Sequence, residues 1–301
     1  MGTVYKFVKN IKMNFLNSVK KLSLATTLLA IFITTTSTTP IPPPHDPVKG
    51  GTMSKVKLIC LDAGHGGHDA GAMGRRSKEK DVALQVVLKL GKRLEQELPD
   101  VKVIYTRSTD VFIPLFERPA IANKNKADLF ISVHCNSADR DVRVKNKRGR
   151  YVKSIQRNPS ARGTETFVLG YNRLNQQDVA IRENASILLE ENYKENYNGF
   201  DPNDPSTYIV FNLMKRQYRT QSIRLASHFQ HAYETASRTN RGVKEGPFAV
   251  LKTAGMPAVL TEIGFISNPD EEDLMMSDSG QKEIVDNLFQ SIKTYKNNVE
   301  K

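Results

Sequence analysis

Apolar runs that suit buried strands alternate along the chain with segments whose apolar residues recur at helical spacing. Strands are predicted over 58–61, 101–106, 128–134, 164–169, 250–251 and 256–261. Helices are predicted over 78–99, 115–126, 176–193, 208–235 and 278–296. Strands that alternate with helices favour one α/β domain, in which a mixed, mostly parallel central sheet is flanked by helices.

Two stretches interrupt this alternation. Residues 139–162 contain nine Lys or Arg against two Asp and almost no apolar periodicity. This basic insertion predicts a solvated, mobile loop, and the alternative is a docking surface for an anionic partner. The stretch Asn198–Pro205, dense in Asn, Asp, Pro and Gly, predicts a second loop.

The beginning of the chain has the pattern of an export signal. A lysine-bearing segment precedes the apolar run Leu22–Ile33, and a Thr/Ser tract follows it. We expect residues 1–39 to be a secretory signal peptide, 40–54 a proline-rich linker and 55–301 the catalytic domain. An uncleaved leader that anchors the chain is the alternative. Either way the sequence predicts export to the periplasm or cell envelope, with membrane contact only transient or through the leader.

The net charge indicates which kind of partner the protein could bind. The chain carries +12, of which five lysines lie in the leader, so the mature protein has about +7. This charge suits an anionic surface or polymer. Nucleic acid is supported by charge alone and contradicted by the leader, so no nucleic-acid partner is expected.

Cys60 and Cys135 each lie near the end of an apolar run and are expected to be small buried residues. A disulfide between them is the alternative if their strands are neighbours.

The candidate chemistry begins directly after the first predicted strand, in the loop Gly64–Gly71. A glycine-rich turn at the carboxyl end of a strand lies where ligands bind in α/β sheets, and His65 there is a candidate metal ligand. A phosphate-binding loop or a plain turn explains the same stretch equally well. His134 and Glu262 end two other predicted strands, and Glu79 begins a helix. Histidine and carboxylate ligands with one further carboxylate suit a catalytic zinc site.

Four ordered motifs, Gly64-His65-Gly66-Gly67 with Asp69 and Gly71, Glu79-Lys80-Asp81, Ser132–Asn136 and Thr261–Pro269, together resemble those of zinc-dependent N-acetylmuramoyl-L-alanine amidases. The resemblance extends from Val56 to Asn297. It implies one zinc ion held by His65, Glu79 and His134, with Glu262 as the catalytic carboxylate. Ala70 and Cys135 depart from the family's usual residues, and neither is an implied ligand.

The resemblance also implies an activity. Zinc-activated water would cleave the amide that joins N-acetylmuramic acid to L-alanine in peptidoglycan, and Glu262 would move the proton to the leaving amine. Such an enzyme serves cell-wall turnover and daughter-cell separation. A zinc peptidase or carboxypeptidase that acts on the stem peptide is the alternative enzyme. A non-catalytic peptidoglycan-binding module would require one of the four site residues to be missing.

Regulation is implied by the stretch 172–216, which is longer than a minimal version of this fold needs. In some relatives, chiefly periplasmic cell-division amidases, a helix inserted here covers the zinc site until a partner protein displaces it. Residues 182–191 resemble such a helix. The hypothesis is that this helix occludes the site, that Glu190 or Glu191 reaches the open zinc position, and that an activator acts on 172–216. A peripheral packing helix is the alternative.

Four other polar residues are not expected to be metal ligands. His68 is expected in the loop or facing substrate rather than on the metal. His228 and His231, three residues apart on a predicted helix, have no partner carboxylate and are not expected to bind metal. Arg118 is expected to form a structural ion pair.

Overall fold

A six-stranded sheet organises the domain in the computed structural model, which describes residues 55–170, 178–197 and 218–301. Its strands lie side by side in the order β2 (Lys102–Tyr105), β1 (Leu58–Ala63), β3 (Leu129–Asn136), β8 (Ala258–Phe265), β6 (Thr164–Leu169) and β7 (Asn240–Gly246). Strands β4 (Arg140–Lys145) and β5 (Tyr151–Gln156) form a separate hairpin. Neighbouring strands of the large sheet are parallel except for β6 and β8, which are antiparallel. The predicted α/β class with a mixed, mostly parallel sheet is therefore confirmed.

Helices flank the sheet on both faces. They are α1 (Glu79–Glu97), α2 (Glu117–Lys124), α3 (Asp178–Asn184), α4 (Tyr193–Asn196), α5 (Arg219–Thr235), α6 (Pro269–Met276) and α7 (Asp278–Val299), with short 3₁₀ helices at Ala185–Leu189 and Ala249–Leu251. The buried apolar sides of α1, α5 and α7 form one core with the sheet. In the described ranges, no helix combines the length and apolarity that crossing a bilayer requires.

The two faces of the sheet contribute to two different cores because side chains alternate along a strand. Ile59 and Leu61 of β1 belong to the core beneath α1, whereas Cys60 belongs to the core on the other face. Strands β1, β3 and β8 are consequently apolar on both faces, as the uninterrupted runs in the sequence predicted.

This alternation also separates the two cysteines. Strands β1 and β3 are neighbours, but Cys60 lies opposite Phe130, five residues before Cys135. Cys135 belongs to the other core, and both thiols are free and buried. The prediction of small buried residues is confirmed, and the alternative disulfide is wrong because the side chains point to opposite faces.

Two predictions of local structure are wrong. Residues predicted as a mobile loop form the β4–β5 hairpin, whose strands pair antiparallel from Arg140 to Gln156. Val250 and Leu251 lie in a 3₁₀ helix rather than a strand. The strand on that side of the sheet is β7, which apolar patterning does not predict because its seven residues contain two glycines, three charged residues and a single apolar one.

The predicted helical stretches are partly as expected. Helices α1 and α7 match their apolar patterns, and α5 covers the described part of the predicted 208–235 helix. The stretch predicted as one helix over 176–193 is instead α3 followed by a 3₁₀ turn. The leader, the linker, the Asn198–Pro205 loop and most of the 172–216 insertion lie outside the described residues.

Candidate metal centre

Four buried side chains converge at the carboxyl edge of β1 and β3. His65, Glu79, His134 and Glu183 each present a possible ligand atom, and these atoms lie within 4.8 Å of one another. His65 follows β1, Glu79 is the first residue of α1, and His134 lies in β3. The structure thus brings together the three ligands expected from the sequence and adds Glu183 from α3.

The His65 ring has one nitrogen oriented and one directed into the cluster. Nδ1 lies 2.8 Å from Asp69 Oδ2, and that oxygen accepts a hydrogen bond from Ser186 Oγ at 2.7 Å. Nε2 lies 3.2 Å from Glu79 Oε2 and 3.1 Å from Glu183 Oε2, yet it makes no hydrogen bond. A carboxylate that holds the far nitrogen of a histidine is the usual support of a metal ligand.

The His134 ring is oriented in a similar way by a buried relay. Its Nδ1 lies 2.9 Å from Glu183 Oε2 and 3.1 Å from Glu79 Oε1. Its Nε2 lies 3.1 Å from Ser132 Oγ, which donates to Asp62 Oδ2 at 2.5 Å. Because the serine hydroxyl donates to the carboxylate, its oxygen accepts the Nε2 proton, and this network assigns the lone pair of Nδ1 to the cluster.

Glu79 is fixed by the backbone around it. Its Oε1 accepts a hydrogen bond from the amide of Cys135 and its Oε2 one from the amide of Ala72, both at 2.8 Å. Gly71 has φ +65°, and a Cβ there would lie 2.7 Å from Glu79 Oε2. The glycine of the opening motif therefore leaves room for the carboxylate as well as permitting the turn.

Two buried arginines hold the loop that carries His65. His65 has φ 60°, which is strained for a residue other than glycine. Arg118 donates to the His65 carbonyl at 2.8 Å, and Arg107 donates to the Gly64 carbonyl at 2.7 Å. Arg118 also pairs with Asp62 at 2.8 Å. The predicted structural ion pair is confirmed, and it binds the loop that carries His65 to the Asp62–Ser132 relay behind His134.

The charge of Asp62 depends on these partners. Burial alone would raise the pKa of this carboxyl, but the charge of Arg118 and the hydrogen bonds from Ser132 and Thr106 outweigh it and hold the pKa below its usual value. Asp62 is therefore an anion in the folded chain, and it needs its cation.

Replacing Arg118, which is 1 % exposed, should destabilise the domain strongly. Arg118→Met leaves the Asp62 charge buried and unpaired, so we expect a loss of about 3–5 kcal/mol in the free energy of unfolding by denaturant titration. The control is Arg76→Met, which removes an exposed ion pair with Asp273 and should change stability by less than about 1 kcal/mol. Equal effects of the two substitutions would contradict this role for Arg118.

Glu262 lies beside the cluster, directly opposite His134 on the neighbouring strand β8. Its carboxyl is fully buried, with Oε1 3.3 Å from Arg182 Nη2 and Oε2 without a hydrogen-bond partner. Burial and then the nearby charge of Glu183 raise its pKa well above the usual value. The predicted catalytic carboxylate is thus placed next to the possible metal ligands without being one of them.

The carboxylate that approaches the histidines from the inserted segment is Glu183, so the hypothesis of Glu190 or Glu191 is wrong. Glu190 Oε1 instead accepts from the Leu115 amide at 2.8 Å and from the Tyr197 hydroxyl at 2.7 Å. Glu191 is exposed. The helix ends at Asn184 and a 3₁₀ helix follows, so Glu190 does not continue the helix that carries Glu183.

The remaining histidines lie outside the cluster. His68 is exposed and stacks on Phe112 with ring centroids 4.2 Å apart. His228 lies against Tyr295, and His231 is exposed on α5. Within the described ranges, the only group of histidines and acidic residues close enough to share a metal ion is the one around His65.

Fold and site together define an α/β protein with a buried two-histidine, two-glutamate cluster at the carboxyl edge of its sheet. The family model described as N-acetylmuramoyl-L-alanine amidase matches residues 59–294. The N-acetylmuramoyl-L-alanine amidase AmiA of Escherichia coli K12 is 31% identical over 257 residues, covering 83% of this chain and 80% of the relative. The chain belongs to the N-acetylmuramoyl-L-alanine amidase family.

Further relatives agree with this assignment. AmiC of another Escherichia coli strain is 30% identical over 85% of this chain, which spans 57% of that relative's length. The catalytic domain of CwlV from Bacillus (Paenibacillus) polymyxa superposes with a TM-score of 0.50 at 26% identity, covering 79% of this chain and 97% of the other. An amidase from Clostridium difficile 630 has the same fold, with a TM-score of 0.55 at 24% identity and coverage of 80% and 97%.

Proposed function

We propose that this protein is an exported zinc-dependent amidase that cleaves the bond between N-acetylmuramic acid and L-alanine in peptidoglycan. The observation that carries the proposal is the convergence of His65, Glu79 and His134 beside Glu262, in a chain of the amidase family. Cell-wall turnover and daughter-cell separation are the processes such an activity would serve, in the periplasm or cell envelope.

The donor set suits zinc. Two imidazole nitrogens and a carboxylate are ligands that catalytic zinc accepts, and a fourth position is then open for water or substrate. The buried Nε2 of His65 makes no hydrogen bond, although carboxylate oxygens surround it. Because the Nε2 atom of His65 has no hydrogen-bond partner, its lone pair is available to bind a metal ion. We assign His65, Glu79 and His134 as the ligands and Glu183 to the fourth position.

The residues divide the chemistry between them. Zinc in this site would supply Lewis acidity, which activates water and polarises an amide carbonyl. Glu262 would act as the general base that accepts a proton from the attacking water and then delivers it to the leaving amine of L-alanine. Asp69 and the Asp62–Ser132 relay would keep both imidazoles oriented while the charge at the site changes.

Analysis of the products tests the proposal against the alternative enzyme. An amidase should release intact stem peptides that begin with L-alanine and leave peptide-free glycan. A zinc peptidase that cuts within the stem would instead release a peptide that lacks L-alanine, and a carboxypeptidase would release only terminal amino acids. Both would leave L-alanine on the glycan. Chromatography and mass spectrometry of digested sacculi distinguish the two. A non-catalytic binding module would release neither product.

We further propose that α3 holds the enzyme in an inhibited state. Glu183 Oε2 approaches both histidines, and the adjacent Arg182 donates to the Ser137 carbonyl at 2.8 Å while its Nη2 lies 3.3 Å from Glu262. Two successive residues therefore cover the candidate ligands and the candidate base at once. Substrate can reach the site only if this segment moves away.

An activator protein would have a surface to bind on the same segment. Ile181 in α3 and Leu188 and Leu189 in the following 3₁₀ helix are exposed apolar side chains, although the segment also buries Ala180 and Ile187. Large apolar residues left exposed on one short segment suit a protein partner that would draw it from the site. The activator predicted for the 172–216 insertion is proposed to act here.

Removing the occluding carboxylate should activate the enzyme. Glu183→Ala is expected to raise basal peptide release from sacculi by about 5- to 150-fold, the usual range of an allosteric coupling energy. Glu191→Ala, which changes an exposed glutamate of the same segment, should leave basal release unchanged. If Glu183→Ala is no more active than the parent, the inhibited state is not formed by this contact.

A further inference from the structure

The β4–β5 hairpin is strongly positive, and none of its charged residues has a role in the proposed reaction. We define the basic hairpin as residues 139–162, whose nine Lys or Arg and two Asp give a net +7. The whole stretch from residue 55 to 301 also has a net +7. The rest of the domain is therefore electrically balanced, and long-range attraction of an anion acts through the hairpin.

One face of the basic hairpin places like charges directly opposite each other. Arg143 pairs in register with Lys153, and Lys145 pairs with Tyr151. Like charges at such positions destabilise a strand pair. Among the side chains that the structure describes, a set that leaves out Asp141, no carboxylate forms an ion pair with Arg143, Lys145 or Lys153. The register of Arg143 and Lys153 therefore places a repulsion on this face, which an anionic partner would reduce.

The same face also offers apolar and aromatic surface. The Tyr151 side chain is 66% exposed, and Lys145 Nζ lies 5.3 Å from the centre of its ring. Ile155, two residues beyond Lys153, is 49% exposed on this face. An aromatic ring between cations suits a ligand that alternates carboxylates with sugar rings or methyl groups.

The hairpin begins at the edge of the candidate active site. Strand β3 carries His134 and ends at Asn136, and β4 begins at Arg140. The base of the hairpin is held by a hydrogen bond from the Ala138 amide to Ser267 Oγ at 3.0 Å and by one from Arg157 to the Met73 carbonyl at 2.8 Å. Strands of six residues extend about 20 Å. A polymer that leaves the site on this side would therefore pass along the hairpin.

We propose that the basic hairpin is an anchoring surface for the peptidoglycan strand next to the cleavage site. Arg143, Lys145 and Lys153 bind carboxylates of neighbouring stem peptides, and Tyr151 packs against a sugar ring. This inference rests on the proposed function. It places recognition of the polymer outside the site that cleaves the bond, so the hairpin affects binding of sacculi and not the chemical step.

An anionic membrane fits the hairpin less well than peptidoglycan does. Elements that lie on a membrane separate an apolar face from a charged one. Here exposed apolar side chains occur on both faces, with Val144 opposite Val152 on one and Tyr151 with Ile155 on the other. The position of the hairpin beside the candidate active site also favours the substrate polymer, because the polymer must lie close to that site to be cleaved and a membrane need not.

Binding to sacculi tests the anchor without requiring catalysis. The full chain with Glu262→Gln is compared with the same protein carrying Arg143→Gln, Lys145→Gln and Lys153→Gln. A control carries Lys92→Gln, Lys102→Gln and Lys124→Gln, which remove the same charge from exposed positions elsewhere on the domain. Co-sedimentation at low salt should show at least about tenfold weaker binding for the hairpin variant, since each exposed charge contributes modestly, and less than twofold for the control.

The outcomes separate this proposal from its rival and from the proposed function. Equal binding by the hairpin and control variants would overturn the anchor. Unchanged binding to sacculi with lost binding to phosphatidylglycerol vesicles would overturn it in favour of a membrane. A small soluble muramoyl-peptide should be cleaved equally by the active parent and the active hairpin variant. Failure of that cleavage both by the parent and by the parent with Glu183→Ala, which removes the proposed inhibitory contact, would refute the proposed activity and leave the binding result intact.

Discussion

Glu262→Gln should reduce the release of stem peptides from sacculi by about 10²- to 10⁴-fold, the usual contribution of a general acid–base group. The amide has the same shape as the carboxylate but cannot accept a proton from water. Because Glu262 is not among the four residues whose ligand atoms converge, the variant should retain the metal content of the parent. Activity and metal content are both measured on the purified protein.

The control for this loss is Glu272→Gln. Glu272 is also a buried carboxylate, but it accepts hydrogen bonds from Ser77 and from the Arg76 amide and makes no contact with the cluster. We expect that variant to keep its activity while losing some stability. Full activity in Glu262→Gln would remove Glu262 from the chemistry, and loss of metal from it would make Glu262 a ligand instead.

Replacement of a proposed ligand should have a different consequence, which is loss of the metal itself. His134→Ala removes one of the three ligand atoms, so we expect zinc affinity to fall by more than the 10- to 100-fold typical of losing a residue that merely orients a ligand. Peptide release should fall to background at the same time. Competition with a chromophoric chelator measures the affinity.

His231→Ala is the matched control, since His231 is an exposed histidine on α5, outside the cluster. Its zinc affinity and peptide release should equal those of the parent. If His134→Ala binds one zinc per chain as tightly as the parent, the assignment of His134 as a ligand is wrong.

Parts of the fold that depend on local apolar patterning could be predicted from the sequence. Strands β1, β3 and β8 are buried on both faces, and such burial demands uninterrupted apolar residues. Strand β7 and the basic hairpin could not be recognised in this way. Strand β7 contains two glycines and three charged residues, and the basic hairpin is mostly charged and polar. Strand β7 forms because it pairs with β6, and β4 and β5 form because they pair with each other, which a local pattern does not encode.

The candidate site shows the same division. His65, Glu79, His134 and Glu262 were accessible because each ends or begins an element within a short motif. Glu183 could not be singled out from the sequence. In one continuous helix, Glu190 would lie on the same side as Glu183 seven residues later, so the choice between them depends on where α3 ends. The supporting groups were hidden as well.

Asp62 lies within an apolar strand, and only the parallel pairing of β1 with β3 sets it opposite Ser132, which contacts His134. A relay of this kind requires three residues from two strands to meet in the fold. The spacing of 70 residues between Asp62 and Ser132 carries no trace of that contact.

The central claim is that the cluster of His65, Glu79 and His134 holds one metal ion on which the amidase activity depends. The most direct test is to remove metal from the purified parent with a chelator, titrate zinc back and follow peptide release from sacculi. We predict that release rises with bound zinc and reaches its plateau at one zinc per chain. Undiminished release by the metal-free protein would contradict the account.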